Sequence, residues 1–112
     1  MDCLFCKIVS GQIPAKKVYE DSAVFAFHDV DPQAPTHVLI VPKQHLAGLK
    51  EAQPQDAEII GRLNLAAAEV ARQLNLTSGY RTVLNVGPDA GQSVFHMHLH
   101  LLGGRKLGWP PG

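Results

Sequence analysis

The chain has 112 residues, a length that suits one domain with its own core, so we expect a single domain over residues 1–112. Ten basic and ten acidic residues leave a formal net charge of zero, which argues against nucleic acid or a membrane surface as a partner. No stretch approaches the roughly 20 apolar residues of a membrane span. The N-terminus lacks the basic start and apolar run of a signal peptide, so we expect a cytoplasmic protein.

The first half of the chain predicts one short helix and three strands. Asp2 is placed to cap the helix, which stops near Gly11. Two prolines predict a loop over residues 29–36, because proline fixes φ and lacks an N–H donor. The stretches on either side of that loop have the composition of β-strands. The predicted strands cover residues 18–20, 24–28 and 38–41.

The second half predicts a long helix and two further strands. Pro54 suits the first position of a helix, and Gly79 marks its predicted end. Apolar residues recur between them at near-helical spacing and predict a face that packs on the sheet. This pattern predicts an antiparallel α+β domain whose second sheet face is left for a ligand. The packing face consists of Ile59, Leu63, Ala66, Val70 and Leu74, and the strands cover residues 80–86 and 95–102, separated by a glycine-rich loop at 87–91.

Three of the six histidines, His96, His98 and His100, alternate with apolar residues in the last predicted strand. Successive side chains on a strand point to opposite faces, so the three imidazoles share one face while the intervening residues enter the core. Imidazoles titrate near neutral pH, and a row of them favours proton or phosphate chemistry. Residues i and i+4 of a strand lie roughly 13 Å apart, so the row favours divided roles over one three-histidine metal site.

The neighbouring loop strengthens the phosphate interpretation. The chain contains neither a nucleophilic-serine elbow nor a P-loop, whereas a neutral imidazole can itself attack phosphorus. The middle ring, His98, has a histidine on each side to orient it. The glycines of residues 87–91 allow backbone amides to approach an anion, and Ser93 adds a hydroxyl donor.

The alternating stretch of residues 96–102 resembles the signature of the histidine triad (HIT) superfamily of nucleotide hydrolases and transferases. The resemblance covers nearly the whole chain and implies a HIT-like fold, with a five-stranded antiparallel sheet, one long helix and one short helix. It also implies a homodimer in which two such sheets join. The implied activity is hydrolysis of purine nucleoside phosphoramidates through a nucleotidyl-histidine intermediate. Segments that resemble the Hint branch of the superfamily are residues 27–29, 32–37, 91–94, 102–105 and 109–112.

The same resemblance implies roles for individual residues. His98 resembles the nucleophile, with His96 beside it in the triad, and His37 resembles the residue that supports its ring. His100 and Ser93 resemble phosphate contacts, and no metal is required for the chemistry. The implied nucleotide contacts are the ribose-binding carboxylate of Asp29, the polar or loop residues Asn85, Gly91, Gln92, Ser93 and Val94, and the apolar base-pocket residues Phe5, Ile8, Phe27 and Val30. His28 is expected to be a buried core histidine.

Cys3 and Cys6 form a C-x-x-C pair, which in a cytoplasmic protein favours metal ligation or redox chemistry over a structural disulfide. Two thiolates need two further ligands for a tetrahedral zinc site. His45 and His96 are the candidates, and related bacterial proteins resemble this arrangement. The prediction is a structural zinc ion, with an inert thiol pair and a redox pair as alternatives.

Other functions remain open from the sequence. Within the superfamily, the alternatives are a dinucleoside polyphosphate hydrolase and a nucleotidyl transferase. The transferase of the galactose-1-phosphate type usually has glutamine at the third triad position, where this chain has His100. A nucleotide-binding interaction module with little turnover is the alternative of a different class, because a fold and its site do not fix the physiological role.

Overall fold

A computed structural model describes residues 2–112, in which five strands form one antiparallel sheet. The predicted sheet, with one long and one short helix, is confirmed. The helices are α1 (Leu4–Val9) and α2 (Ala57–Gln73), and the strands are β1 (Lys17–Glu20), β2 (Val24–His28), β3 (Thr36–Pro42), β4 (Tyr80–Val83) and β5 (Leu99–Gly103). The strands lie in the order β1-β2-β3-β5-β4, and each neighbouring pair is antiparallel.

Alternation along β2, β3 and β5 gives the sheet two different apolar faces. One face packs on α2, where Ile40, Leu101 and Val70 are completely buried. The other face carries Phe27 and Leu39 and is covered in part by α1. Burial of a large apolar side chain contributes about 1.5–3 kcal/mol, so the α2 side supplies much of the stability. The five residues predicted to form the packing face of the long helix all belong to this core.

The short helix is capped by Cys3 and not, as predicted, by Asp2. Cys3 has extended backbone angles (φ −122°, ψ 123°), and its Sγ accepts a hydrogen bond from the Cys6 N–H at 3.4 Å. The exposed Asp2 carboxylate instead pairs with the Lys7 ammonium at 2.8 Å. The chain then leaves the helix before Gly11, as predicted, where φ is +84°.

The long helix is shorter than predicted. A 3-10 turn at Pro54–Asp56 precedes α2, which ends at Gln73 and not near Gly79. The reason is local: Asn75 adopts a left-handed φ of 59°, and the Leu76 N–H donates to the carbonyl oxygen of Ala71 at 2.9 Å. Within residues 2–112, none of the helices has both the length and the apolar character needed to cross a membrane.

The last two strands are also shorter than predicted. Their ladder ends at the Val83–His100 pair, although residues 80–86 and 95–102 have strand composition. The Met97 N–H donates to the carbonyl oxygen of Leu46 at 2.6 Å, which takes residues 96–98 out of the sheet. Side-chain alternation nevertheless continues through these residues, with Met97 only 1% exposed in the α2 core.

Candidate active site

A cavity of about 1160 Å³ lies on the sheet face opposite α2. Its size is sufficient for a nucleotide-sized ligand, and its wall combines a large apolar surface with a few polar groups, as small-molecule sites usually do. Most of the residues predicted to bind or transform the nucleotide meet here. They are Phe5, Ile8, Phe27, Asp29, Val30, His37, Ser93, Val94, His98 and His100. Val30 is 99% exposed, so it lies at the mouth of the cavity.

Three predicted nucleotide contacts, Asn85, Gly91 and Gln92, are not among the residues that line this cavity. The buried Gln92 side chain holds the glycine-rich loop: its Oε1 accepts the Gly87 N–H at 2.9 Å. Its Nε2 donates to the carbonyl oxygens of Ala47 at 2.9 Å and Val94 at 3.3 Å. All polar atoms of this amide are therefore engaged with the backbone.

The proton of the His98 ring is fixed by a main-chain carbonyl. His98 Nδ1 lies 2.8 Å from the carbonyl oxygen of His96. A carbonyl oxygen can only accept, so Nδ1 carries the proton and Nε2 of the neutral ring keeps its lone pair. Phe5 contacts this ring edge-on at a centroid distance of 5.0 Å, and the ring of His100 lies at the same distance.

A second chain of hydrogen bonds fixes His37 and His100. The Gln33 N–H donates to His37 Nδ1 at 3.0 Å, so His37 carries its proton on Nε2. That nitrogen lies 2.9 Å from His100 Nδ1 and donates to it. The neutral His100 ring therefore carries its own proton on Nε2, a buried atom that has no hydrogen-bond partner among residues 2–112. The result is an unused donor in a ring that lines the cavity.

Burial keeps these rings neutral. Burial is the main reason that the pKa of His100 is lowered to about 4. The neighbouring rings of His98 and His37 also lower this pKa, and their effect exceeds the opposite effect of the Asp29 carboxylate. Burial also lowers the pKa of His37, although Asp29 Oδ2 lies 3.4 Å from its Nε2 and opposes the shift. Both rings are therefore uncharged at neutral pH, as the hydrogen-bond chain requires.

Cys3, Cys6, His45 and His96 form a second site next to the first, with their ligand atoms within 4.8 Å of one another. Cys3 Sγ lies 3.3 Å from His96 Nδ1, and Cys6 Sγ lies 3.4 Å from His45 Nδ1. Zinc bonded at 2.3 Å to sulfur and 2.0–2.1 Å to nitrogen separates tetrahedral ligands by about 3.3–3.8 Å, so the set fits zinc. We call these four residues the metal cluster.

The tautomer of His96 suits the metal cluster. Its Nε2 donates to the carbonyl oxygen of Pro42 at 2.8 Å, which leaves the lone pair of Nδ1 directed to the cysteine sulfurs. Metal-binding histidines commonly make such a bond with their second nitrogen. The side chains of His96 and His100 thus belong to different clusters, and the divided roles expected from the strand spacing stay a prediction.

Sequence reasoning missed the groups that set these tautomers. The Gln33 N–H and the carbonyl oxygens of Pro42 and His96 belong to the main chain, and residue type carries no signal for them. The expectation for His28 was wrong: its side chain is exposed and lines the cavity, because it stands at the end of β2 beside the 29–35 loop and not under α2.

A five-stranded antiparallel sheet with an alternating histidine row on its open face is the architecture of the histidine triad proteins. The chain belongs to this family: residues 10–107 match the HIT domain. It is 52% identical to a 14 kDa zinc-binding protein of Zea mays over 97% of this chain and 87% of the relative. It is 48% identical to the adenylylsulfatase HINT1 of Arabidopsis thaliana over 97% of this chain and 76% of that relative. The crystal structure of a HIT family hydrolase from Legionella pneumophila Philadelphia 1 is similar over 99% of this chain and 100% of that one, with a TM-score of 0.97 and 49% identity.

Proposed function

We propose that the protein hydrolyses purine nucleoside phosphoramidates to the nucleoside monophosphate and an amine, through a nucleotidyl intermediate on His98. The observation that carries this proposal is the pair of fixed tautomers in one cavity. His98 holds its proton on Nδ1 and keeps a lone pair on Nε2, while the buried Nε2–H of His100 has no hydrogen-bond partner among the described residues. A nucleophile and a donor for phosphoryl oxygens are the two groups that such a reaction needs.

In the first step, His98 Nε2 attacks phosphorus in line and the phosphorus–nitrogen bond breaks. The departing nitrogen keeps the bonding electrons and takes up a proton from solvent, because an amine leaves far more readily than an amide anion. The exposed Ser93 hydroxyl lines the cavity, is expected beside the leaving nitrogen and relays this proton. The His100 Nε2–H offsets charge on the phosphoryl oxygens. Water then attacks phosphorus, the bond from phosphorus to His98 breaks, and the monophosphate leaves; the water gives one proton back to solvent and His98 returns to its neutral state.

The remaining wall of the cavity suits a nucleoside. Phe5, Ile8 and Phe27 provide an apolar surface for a purine. Asp29 is half-buried at the same cavity, and an ionised carboxylate only accepts hydrogen bonds, which matches ribose hydroxyl donors. One Asp29 oxygen already accepts the Asp31 N–H at 2.8 Å, so the loop holds the carboxylate in place.

Adenylylsulfate is the second candidate substrate, because a relative with 48% identity is named adenylylsulfatase. Attack by His98 on the same phosphorus would form the same adenylyl-histidine and release sulfate. The two candidates differ only in the leaving group, since sulfate departs without a proton and an amine requires one.

The test is turnover of adenosine 5′-phosphoramidate, adenylylsulfate and a dinucleoside polyphosphate by the wild type and His98→Ala. Intact-mass measurement on trapped protein checks for the adenylyl adduct. We expect phosphoramidate turnover and an adduct in the wild type only. Full turnover by His98→Ala overturns the mechanism, and faster cleavage of another substrate reassigns the reaction. Tight nucleotide binding by the wild type without turnover of any substrate favours a binding module.

We also propose that the metal cluster holds a structural zinc ion. The fit of Cys3, Cys6, His45 and His96 supports this, as does the name of the maize relative. Zinc-binding thiolates must stay reduced, which agrees with the expected cytoplasmic location. Metal analysis of protein purified without a histidine tag is expected to give one zinc per chain. A stoichiometry far below one would contradict the proposal.

A homodimer is the third part of the proposal. Strand β4 is an edge of the sheet, and pairing of two β4 edges would join two sheets as the family resemblance implies. Leu65 on α2 is 71% exposed and Tyr80 on β4 is 43% exposed, and a partner subunit would cover Tyr80 if two β4 edges paired. Light scattering coupled to gel filtration is expected to give twice the chain mass, and a monomer would contradict it.

A further inference from the structure

We propose that Phe5 and the metal cluster are positioning elements for His98, so that metal loading selects the reactive tautomer of this ring. The inference rests on the proposed function only where it names His98 as the nucleophile. Two separate contacts connect the cluster to the ring: the main-chain carbonyl of His96 and the side chain of Phe5.

The first connection runs through the peptide of His96. The sheet ladder begins only at Leu99, so ladder hydrogen bonds do not hold the His96 carbonyl that accepts the His98 proton. The side chain of His96 is instead held at both nitrogens. Nδ1 lies 3.3 Å from Cys3 Sγ and 3.5 Å from Cys6 Sγ, and Nε2 donates to the Pro42 carbonyl at 2.8 Å. A metal bound at Nδ1 would fix this residue, and with it the carbonyl that orients His98.

The second connection is Phe5, which lies between the two cysteines in α1. Its ring is 4% exposed and meets His96 edge-on at 5.9 Å and His98 edge-on at 5.0 Å. A helix of six residues is too short to be stable alone, so the location of α1 depends on its attachments. Cys3 and Cys6 attach both ends of the segment that carries Phe5 to the histidines of the cluster.

The chemical consequence concerns the tautomer of His98. If the His96 carbonyl moves, the preference for a proton on Nδ1 is lost, and part of the population carries it on Nε2. A neutral ring protonated on Nε2 has no lone pair at the attacking atom, so a wrong tautomer removes the nucleophile without removing the residue. The metal cluster thereby acts on the reaction without contact to the substrate.

The experiment reads the tautomer directly, with long-range proton–nitrogen NMR spectra of His98 at one fixed neutral pH and without nucleotide. Zinc-loaded wild type is compared with protein stripped by a chelator and with zinc-loaded Phe5→Leu. The matched control is Phe25→Leu, since Phe25 is buried in the same apolar cluster but packs on Phe27 at 6.0 Å. Amide resonances of Leu99–Gly103 report whether the sheet stays folded.

We expect a single Nδ1–H tautomer in the zinc-loaded wild type and in Phe25→Leu. A mixture of both tautomers is expected in the stripped protein and in Phe5→Leu. The kcat of zinc-loaded Phe5→Leu is expected to fall by about tenfold to a hundredfold, the scale of a misplaced reacting group. A Phe5 that served only as a wall for the base would raise KM and leave the tautomer of the free enzyme unchanged.

An unchanged Nδ1–H tautomer in the stripped protein overturns the role of metal loading, and an unchanged tautomer in zinc-loaded Phe5→Leu overturns the role of Phe5. Should the stripped protein lose its β5 resonances, zinc-treated Cys6→Ser, which lacks one of the four cluster residues, takes its place in the comparison. Failure of the proposed function gives a different result. If tautomers shift as expected while His98→Ala keeps its turnover, the positioning role stands and the nucleophile is wrong. If His98→Ala is inactive and the tautomer is insensitive to zinc and Phe5, the nucleophile stands and the positioning role is wrong.

Discussion

Acid should destabilise the folded protein through His100 well before its carboxylates titrate. The ordinary histidine pKa is 6.5, and burial lowers that of His100 to about 4 in the folded state. Between these values the unfolded chain binds a proton at this residue and the folded protein does not. Stability therefore rises with pH from about 4 to 6.5, and it falls when the pH is lowered through this interval.

The size of the effect follows from the two pKa values. One pKa unit corresponds to about 1.4 kcal/mol, so His100 alone should remove about 3 kcal/mol of unfolding free energy once the pH reaches about 4. That is a large share of the 5–15 kcal/mol that typically stabilises a domain. The lowered pKa of His37 acts in the same direction.

Urea unfolding at intervals from about pH 4 to pH 7.5, extrapolated linearly to zero urea, measures this dependence. His100→Gln removes the titrating group and is expected to flatten the acid limb by about 3 kcal/mol relative to the wild type. His28→Gln, a change at an exposed histidine of the same cavity, is the matched control and should keep the wild-type slope. Neither substitution changes a residue of the metal cluster, so loss of a bound metal ion at low pH would contribute equally to all three proteins. An unchanged slope in His100→Gln would contradict burial as the cause.

Three further predictions concern the loops and the metal cluster. Gln92→Leu leaves three backbone groups without partners and should lower stability by about 3 kcal/mol in calorimetry; an unchanged Tm would contradict the loop-holding role. Gly104→Ala should cost about 2 kcal/mol, because φ is +89° and a Cβ would lie 2.9 Å from that of Pro35. Gly108→Ala, in open space, is its control and should change stability by less than about 0.5 kcal/mol. Zinc at a hundredfold excess over its Kd for the wild type should raise the unfolding free energy of the wild type by about 2.7 kcal/mol. The same zinc concentration should stabilise Cys6→Ser far less, and an equal gain in both proteins would exclude Cys6 as a ligand.

Side-chain periodicity was sufficient to predict the architecture and the face on which the site lies. The alternation of His96, His98 and His100 with apolar residues holds even where the backbone leaves the sheet, because burial and not the ladder sorts these side chains. The candidate metal-ligand set followed from the chemistry of two thiolates and from the resemblance to related bacterial proteins. Its four residues come together from three separate parts of the chain.

The predicted ends of the long helix and of the last strands were wrong, because a backbone contact there outweighs the local conformational preference of the residues. The end of α2 is set by Asn75, a residue that tolerates a left-handed φ, while Gly79 was the stronger sequence signal. The shortened β5 depends on the bond from Met97 to Leu46, which joins residues that are distant in the chain. The roles of the Gln33 N–H and the Gln92 amide were out of reach for the same reason, since their partners are fixed only by the tertiary fold.

The alternation of imidazole and apolar side chains in residues 96–101 also restricts the ways in which this protein can misfold. This short segment carries the proposed metal ligand, nucleophile and phosphate donor on one side. On the other side, its residues Met97, Leu99 and Leu101 belong to the α2 core. A slip of one residue of β5 against β3 would turn the imidazole of His100 into the apolar core and the side chains of Leu99 and Leu101 into the cavity. Misfolded copies with this slip would be too unstable to accumulate. We therefore expect a population in which every folded molecule carries a correctly assembled site.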